Sequence, residues 1–155
     1  MEPSKIYELL KKRFGEKVGE FDAEAIDPCV TVDTGSLPDL ARFLFEDETL
    51  AFDSLMCLSA VDYPETLLLV YSLHSLKNFH KFTVKVEVSK DSPRVPSVES
   101  IWKTANWHER EAFDLFGVEF QDHPDLTRIL LPEDWEGYPL RKDYETPDEY
   151  RGMDI

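Results

Sequence analysis

A short run near residue 110 carries side chains that often bind metals or transfer protons. His108 and Glu109 begin like the zinc-protease pattern His-Glu-x-x-His, in which two histidines one helical turn apart hold the metal. Ala112 stands where the second histidine is required. Glu109 and Glu111 lie about 200° apart around a helix, so they cannot form a paired acid and base. These carboxylates are therefore predicted to be structural.

Other patterns of catalysis and cofactor binding are missing from the sequence. The 4 histidines have no metal-ligand spacing, and the 6 glycines form neither G-x-G-x-x-G nor a phosphate-binding loop. Cys29 and Cys57 are the 2 cysteines, which make no disulfide framework and no cradle for an iron–sulfur cluster. The sequence thus predicts a chain with no cofactor, no metal and no catalytic residues of its own.

The charge balance excludes several classes of partner. The chain of 155 residues has 17 basic and 32 acidic side chains, a net charge of −15, which opposes binding to nucleic acid or to an anionic lipid surface. Residues 20–65 carry a net charge of −11 and residues 106–155 a net charge of −9. Such blocks are usually solvated faces, but an acidic face can also meet a basic partner.

No apolar run in the sequence is long enough to cross a bilayer. The longest one, Leu67 to Tyr71, has 5 residues where a spanning helix needs about 20. The first residues also lack the apolar stretch of a secretory signal. We therefore expect a protein of the cytoplasmic side that does not insert directly into a membrane.

The elements that position these residues can be predicted from hydrophobic spacing. Two amphipathic helices are expected, one ending before Gly15 and one after a capping box formed by Ser36 and Asp39. Strands are expected around Val30, from residue 67 to 73 and from residue 82 to 88, where apolar and polar residues alternate. Short links between the strands favour an antiparallel meander. The predicted fold class is α+β, a mostly antiparallel sheet with helices packed on one face.

A third helix follows, and the segment after it differs in composition. Asn106 and Glu109 have the spacing of a capping box, and Gly117 suits the left-handed turn that ends a helix. Within the helix, Arg110 and Asp114 are spaced as an ion pair. Beyond it, prolines recur and only Thr127 to Leu131 looks like a strand. We predict an α+β domain over residues 1–121 and an extended, Pro-rich C-terminal docking tail of the same domain over residues 122–155.

The segment from Trp107 to Tyr144 carries a dense series of short motifs. They are Glu109-Arg110-Glu111, Asp114-Leu115-Phe116-Gly117, His123-Pro124, Arg128-Ile129-Leu130, Pro132-Glu133 and Pro139-Leu140-Arg141-Lys142-Asp143-Tyr144. This series resembles the signature of a known family, the C subunit of NADH-quinone oxidoreductase (respiratory complex I), also called the 30-kDa subunit. The resemblance is dense over about 50 residues and looser over the preceding sheet. Asp122 and Thr127 depart from the pattern, because a glycine and a basic residue are expected there.

The resemblance implies a polypeptide without FMN or iron–sulfur clusters, which partner subunits of the complex carry. It implies a place in the peripheral arm, on the cytoplasmic side of the cell membrane. The expected neighbours are the 49-kDa (D) subunit, which helps to form the quinone site, and the B and I subunits. The chain would scaffold the quinone-reducing module of a proton-translocating NADH:quinone oxidoreductase and take part in the enzyme without catalysing a step.

The same resemblance suggests roles for the signature residues. Glu109, Arg110, Glu111 and Asp114 would fix the third helix and its junction to the tail, while Arg128, Arg141 and Lys142 would pair with acidic groups. Replacing Glu111 by alanine should then lower assembly of the complex and leave its chemistry intact. Two alternatives remain: the equivalent subunit of a membrane-bound hydrogenase or related dehydrogenase, and, from a different class, a free-standing acidic interaction module.

Overall fold

Five strands form the main sheet of the computed structural model, which describes residues 1–154. They are β1 (Val18–Asp22), β2 (Cys29–Val32), β3 (Ser54–Asp62), β4 (Thr66–Ser75) and β5 (His80–Ser89). Their order across the sheet is β1-β2-β5-β4-β3, and every neighbouring pair is antiparallel except β2 with β5, which is parallel. The predicted α+β class with a mostly antiparallel sheet is confirmed.

Three α-helices accompany the sheet: α1 (Pro3–Phe14), α2 (Leu37–Glu46) and α3 (Ala105–Phe116). The buried side chains of α1 and α2 join one hydrophobic core with the inward side chains of the sheet. Two residues just before α3 are bonded to the chain near the start of β3. The Trp102 indole N–H donates to the Phe52 carbonyl at 2.7 Å, and the Thr104 hydroxyl donates to the Leu55 carbonyl at 3.0 Å. These bonds place α3 beside β3.

Strands β4 and β5 of the meander β3-β4-β5 were predicted from alternation, and their register explains why that signal was strong. In β4 the residues Leu67, Leu69, Tyr71 and Leu73 are buried and lie opposite the buried residues Val88, Val86, Val84 and Phe82 of β5. The intervening positions face the other side of the sheet and, apart from the buried Thr83, are more exposed. A strand buried on one face only gives a period of two in its sequence.

Both predicted capping boxes are wrong, although Ser36 does occupy the N-cap position of α2. Ser36 lies in a single 3₁₀ turn and donates to Asp33 at 3.1 Å, so it does not cap α2 with Asp39. Thr104, not Asn106, precedes α3, and Asn106 is inside the helix. Gly117 does end α3, with φ of 73°.

Short strands and turns make up the rest. β6 (Arg94–Pro96) and β7 (Glu119–Gln121) pair in parallel, and β8 (Glu149–Tyr150) pairs with β9 (Met153–Asp154). Residues 122–148 form turns and bends, without a helix or strand. The strand expected from Thr127 to Leu131 is therefore wrong. Within residues 1–154, no helix has the length and apolar character to cross a membrane.

Candidate functional site

The first turns of α3 hold a buried carboxylate. Glu109 is fully buried and accepts hydrogen bonds from the Ser97 hydroxyl at 2.6 Å and from the Val98 N–H at 2.8 Å. Its carboxylate thus reaches across to the segment before α3 instead of back to Asn106, which corrects the predicted capping box. Glu109 fixes the angle at which the chain enters the helix.

His123 lies beside the same carboxylate. Its Nε2 is 3.9 Å from Glu109 Oε2 and 3.3 Å from the Asn106 carbonyl, while its Nδ1 accepts from the Asp125 N–H at 3.0 Å. With Nδ1 as the acceptor, Nε2 is the nitrogen placed to donate to the Asn106 carbonyl. Burial raises the pKa of Glu109 to about 7, although the bonds from Ser97 and Val98 act to lower it.

Replacing Glu109 by glutamine is expected to flatten the dependence of stability on pH. A carboxyl whose pKa rises from 4.5 to about 7 on folding binds more protons folded than unfolded across that interval, so stability falls as pH rises. Relative to Glu109→Gln, the wild type should lose about 2 kcal/mol between pH 5.5 and pH 8. Urea unfolding at each pH measures this difference, with Glu111→Gln as the exposed control. An identical pH profile in the wild type and Glu109→Gln would contradict the buried-acid interpretation.

One turn further along α3, Asp114 organises the chain that follows the helix. It is fully buried, and its Oδ2 accepts from the N–H groups of Ile129, Leu130 and Leu131 at 3.1, 2.7 and 2.9 Å. Its Oδ1 accepts from Arg128 at 2.8 Å. These bonds show why residues 127–131 are not a strand: their N–H groups bind a side chain. Burial acts to raise the pKa of Asp114, but Arg128 and the three N–H groups outweigh it and lower that pKa.

Two arginines complete this junction from opposite sides. Arg128 donates to the Asp114 carboxylate and also to the carbonyls of Trp135 and Gly137, at 2.9 and 3.0 Å. Arg110 donates to the carbonyls of Thr127 and Arg128, at 3.1 and 3.2 Å. Asp114 therefore pairs with Arg128, and the predicted pairing of Arg110 with Asp114 is wrong. Both guanidinium groups bind the turns that follow α3.

The ring of Tyr138 packs against the end of α3. A Cβ added to Gly117 would lie 2.5 Å from the ring of Tyr138, so only glycine allows this approach. The guanidinium of Arg141 lies 5.1 Å from the centre of that ring and donates to the Phe116 carbonyl at 2.6 Å. Arg141 thus satisfies a carbonyl at the helix C-terminus, where a cation is also favoured by the helix dipole.

A second ionic group ties the C-terminal segment to the sheet. Asp62 at the end of β3 accepts from Lys90 at 3.0 Å and from the N–H of Lys142 at 2.7 Å, and Lys90 also lies 3.4 Å from Asp143. Burial acts to raise the pKa of Asp62, but the Lys142 N–H and the Lys90 ammonium outweigh it and lower that pKa. Sequence reasoning missed Asp62 and Lys90, because neither lies near the signature.

The predicted site residues do not all meet. Glu109 and His123 form one cluster, Asp114, Arg110 and Arg128 a second, Gly117 and Arg141 a third, and Lys142 and Asp143 lie by Asp62. The remaining two lie outside these clusters: Glu111 and Pro124 are exposed. The structure also explains why the family pattern has a glycine at a position where this chain departs from it. Asp122, where a glycine was expected, has a φ of 63° in the left-handed region that glycine favours.

The charged side chains of these clusters bind mainly other groups of the same chain. Within residues 1–154, no three histidine, cysteine, aspartate or glutamate side chains are grouped as a metal site. The acids and arginines of the signature mostly bind backbone groups of the same chain. Their arrangement can hold the helix, the sheet end and the C-terminal segment in one fixed relation.

Comparison with known proteins gives the family. Residues 30–150 match the family model described as respiratory-chain NADH dehydrogenase, 30 Kd subunit. The chain belongs to this family. The matched range includes the meander β3-β4-β5 and all three clusters around α3.

Curated relatives in this family are named as the C subunit of NADH-quinone oxidoreductase. The chain is 47% identical to that of Chloroherpeton thalassium over 152 residues, which are 96% of this chain and 63% of the relative. It is also 47% identical to that of Chlorobium phaeobacteroides over 153 residues, which are 96% of this chain and 92% of that relative. The chain therefore spans less than two thirds of one relative and nearly all of the other.

Two solved structures are similar to this member of the family. The trypsin-resistant fragment (1–134) of Nqo5 is 26% identical with a TM-score of 0.65, covering 79% of this chain and 99% of the fragment. A chain of the membrane-bound sulfane sulfur reductase, an archaeal respiratory membrane complex, has a TM-score of 0.76 at 23% identity, with 98% of both chains covered. The second likeness concerns the fold alone.

Proposed function

We propose that this chain is the 30-kDa (C) subunit of a proton-translocating NADH:quinone oxidoreductase, and that it acts as a scaffold in the peripheral arm. Membership of the 30-kDa subunit family and the names of the curated relatives support the assignment. The proposed position is peripheral, on the cytoplasmic side of the cell membrane. The 49-kDa (D) subunit is the proposed direct partner, with the B and I subunits nearby.

The bonding of Asp114 is the observation that carries the scaffolding role. This carboxylate is buried, paired with Arg128 and bound by three backbone N–H groups, so it has no free face for substrate. Arg110 and Arg141 likewise donate to backbone carbonyls. We therefore assign no catalytic residue and no cofactor to this chain, and leave FMN and the iron–sulfur clusters to its partners.

Residues 122–155 are proposed as the docking tail of the same domain as residues 1–121. The bonds of this segment to α3 and to Asp62 support a single unit, because they fix one side of the segment. Its other side is exposed at many positions. A partner protein would then bind a surface whose conformation is already held by bonds within this chain.

Turnover per assembled complex tests the scaffolding role. In a strain that lacks its own 30-kDa subunit, variants with weakened clusters, such as Asp114→Asn, should lower the amount of assembled complex. NADH:quinone turnover, normalised to the FMN of the assembled complex, should stay at the wild-type value. Full assembly with lost turnover would contradict the proposal and assign a catalytic role to the altered residue.

A membrane complex with another electron donor is the second candidate. The fold likeness to a chain of the sulfane sulfur reductase complex favours considering it. The strain that lacks its own 30-kDa subunit separates the two candidates. If the second candidate is right, membranes that carry this chain lack NADH-dependent quinone reduction. In either case the role of the chain would be to scaffold.

A further inference from the structure

One side of α3 is left uncovered. The side with Ala105, Glu109 and Ala112 is buried against the rest of the domain, and the side with Arg110 and Asp114 is covered by residues 127–131. At 100° per residue, Trp107 and Glu111 lie on a third side, next to the covered one. Trp107 is 68% exposed and Glu111 is exposed.

Two leucines of the C-terminal segment border this side. Leu130 is 64% exposed, and its N–H binds Asp114 on the adjacent side of the helix. Leu140 is 52% exposed, and its N–H donates to the Leu115 carbonyl at the end of α3. Trp107, Glu111, Leu130 and Leu140 together are called the α3 outer surface. An exposed tryptophan with two exposed leucines is typical of an interface, where aromatic residues supply much of the binding energy.

The α3 outer surface belongs to an acidic part of the chain whose arginines are engaged within the chain. Residues 106–155 carry a net charge of −9, and Glu111 lies on the surface itself. Arg110, Arg128 and Arg141 bind carbonyls, the Asp114 carboxylate or the Tyr138 ring of this chain. Lys103, four residues before Trp107, pairs with Glu99 at 3.0 Å. Acidic groups beside an apolar centre select partners of opposite sign and repel an anionic bilayer.

We propose that the α3 outer surface binds a basic protein surface whose apolar pocket receives Trp107. This inference rests on the proposed function, since the partner would be another polypeptide of the same complex. The bonds of Asp114 and Arg110 hold the surface in shape before binding, so that little ordering is needed on association.

Competition for incorporation tests the surface in the complete complex. Tagged wild-type or variant chain is expressed beside untagged wild type, and mass spectrometry gives the ratio of the two in the assembled complex. Trp107→Ala with Glu111→Lys should be under-represented by about tenfold, because a buried anchor and a complementary charge are both lost. Each single variant should show a smaller loss. Thermal unfolding of the double variant should match the wild type, since both side chains are exposed.

Matched controls lie elsewhere on the chain. Phe79→Ala removes an aromatic ring that is 90% exposed, and Glu8→Lys reverses an exposed charge on α1. Both control variants should incorporate at parity. Equal incorporation of the Trp107 and Glu111 double variant would overturn the surface and leave the proposed function standing. If tagged wild type itself enters no complex, the proposed function fails and the surface proposal fails with it.

Discussion

Asparagine in place of Asp114 is expected to lower the free energy of unfolding by about 3–5 kcal/mol, the cost of removing one partner from a buried ion pair. An amide has one oxygen, whereas Asp114 presents two that together accept from Arg128 and three N–H groups. The N–H₂ group of the asparagine would therefore point at N–H donors that a carboxylate oxygen of Asp114 now accepts from. Urea unfolding of the purified chain at pH 7 measures the loss.

Asp134→Asn is the matched control for that variant. Asp134 also pairs with an arginine, Arg151 at 2.8 Å, but both side chains are largely exposed, so little change in stability is expected. The comparison separates the effect of burial on stability from the effect of pairing with an arginine. If Asp114→Asn were no more destabilising than Asp134→Asn, the buried junction would not contribute to stability as described.

Alanine in place of Gly117 is expected to lower the free energy of unfolding by about 2–4 kcal/mol, from backbone strain and overpacking together. The backbone has φ of 73° there, and the new Cβ would meet the Tyr138 ring at 2.5 Å. Moving that ring also disturbs Arg128 and Arg141, whose guanidinium groups lie 5.5 and 5.1 Å from its centre. Thermal or urea unfolding measures the effect.

Removal of the Tyr138 ring is the control for that variant. The backbone strain at φ of 73° remains when the ring is removed, whereas the overlap of the new Cβ with the ring does not. Adding Tyr138→Ala to Gly117→Ala should therefore cost less than the sum of the two single losses. A double variant that loses the full sum would contradict the close approach of Tyr138.

Strands β4 and β5 and the end of α3 could be predicted because their signals are local. Alternation along β4 and β5 follows directly from burial on one face of the sheet. Gly117 marks a left-handed turn that other residues rarely adopt. The strand β1 was missed, since Val18–Asp22 includes Gly19 and has few apolar residues.

The candidate site was predicted less completely, because its bonds join residues that are distant in sequence. Asp114 binds residues 14 to 17 positions further on, and Asp62 binds Lys142 across 80 positions. The apolar residues 129–131 favoured a strand, yet their N–H groups bind a carboxylate that no periodicity reveals. Likewise, Glu109 has the spacing of a capping box but binds Ser97, which precedes the helix. The family signature pointed to α3 and the segment after it, but it gave none of these hydrogen-bond partners.

Cross-linking mass spectrometry on native membranes can show whether this chain is a docked component of a membrane-bound oxidoreductase. We expect links from residues 122–155 and from the neighbourhood of α3 to other subunits of the NADH:quinone oxidoreductase, with the 49-kDa polypeptide foremost among them. Links from Lys142 are the most informative, because its exposed side chain lies within the proposed docking tail. Links confined to this chain, in membranes where the other subunits link to one another, would contradict the docked position.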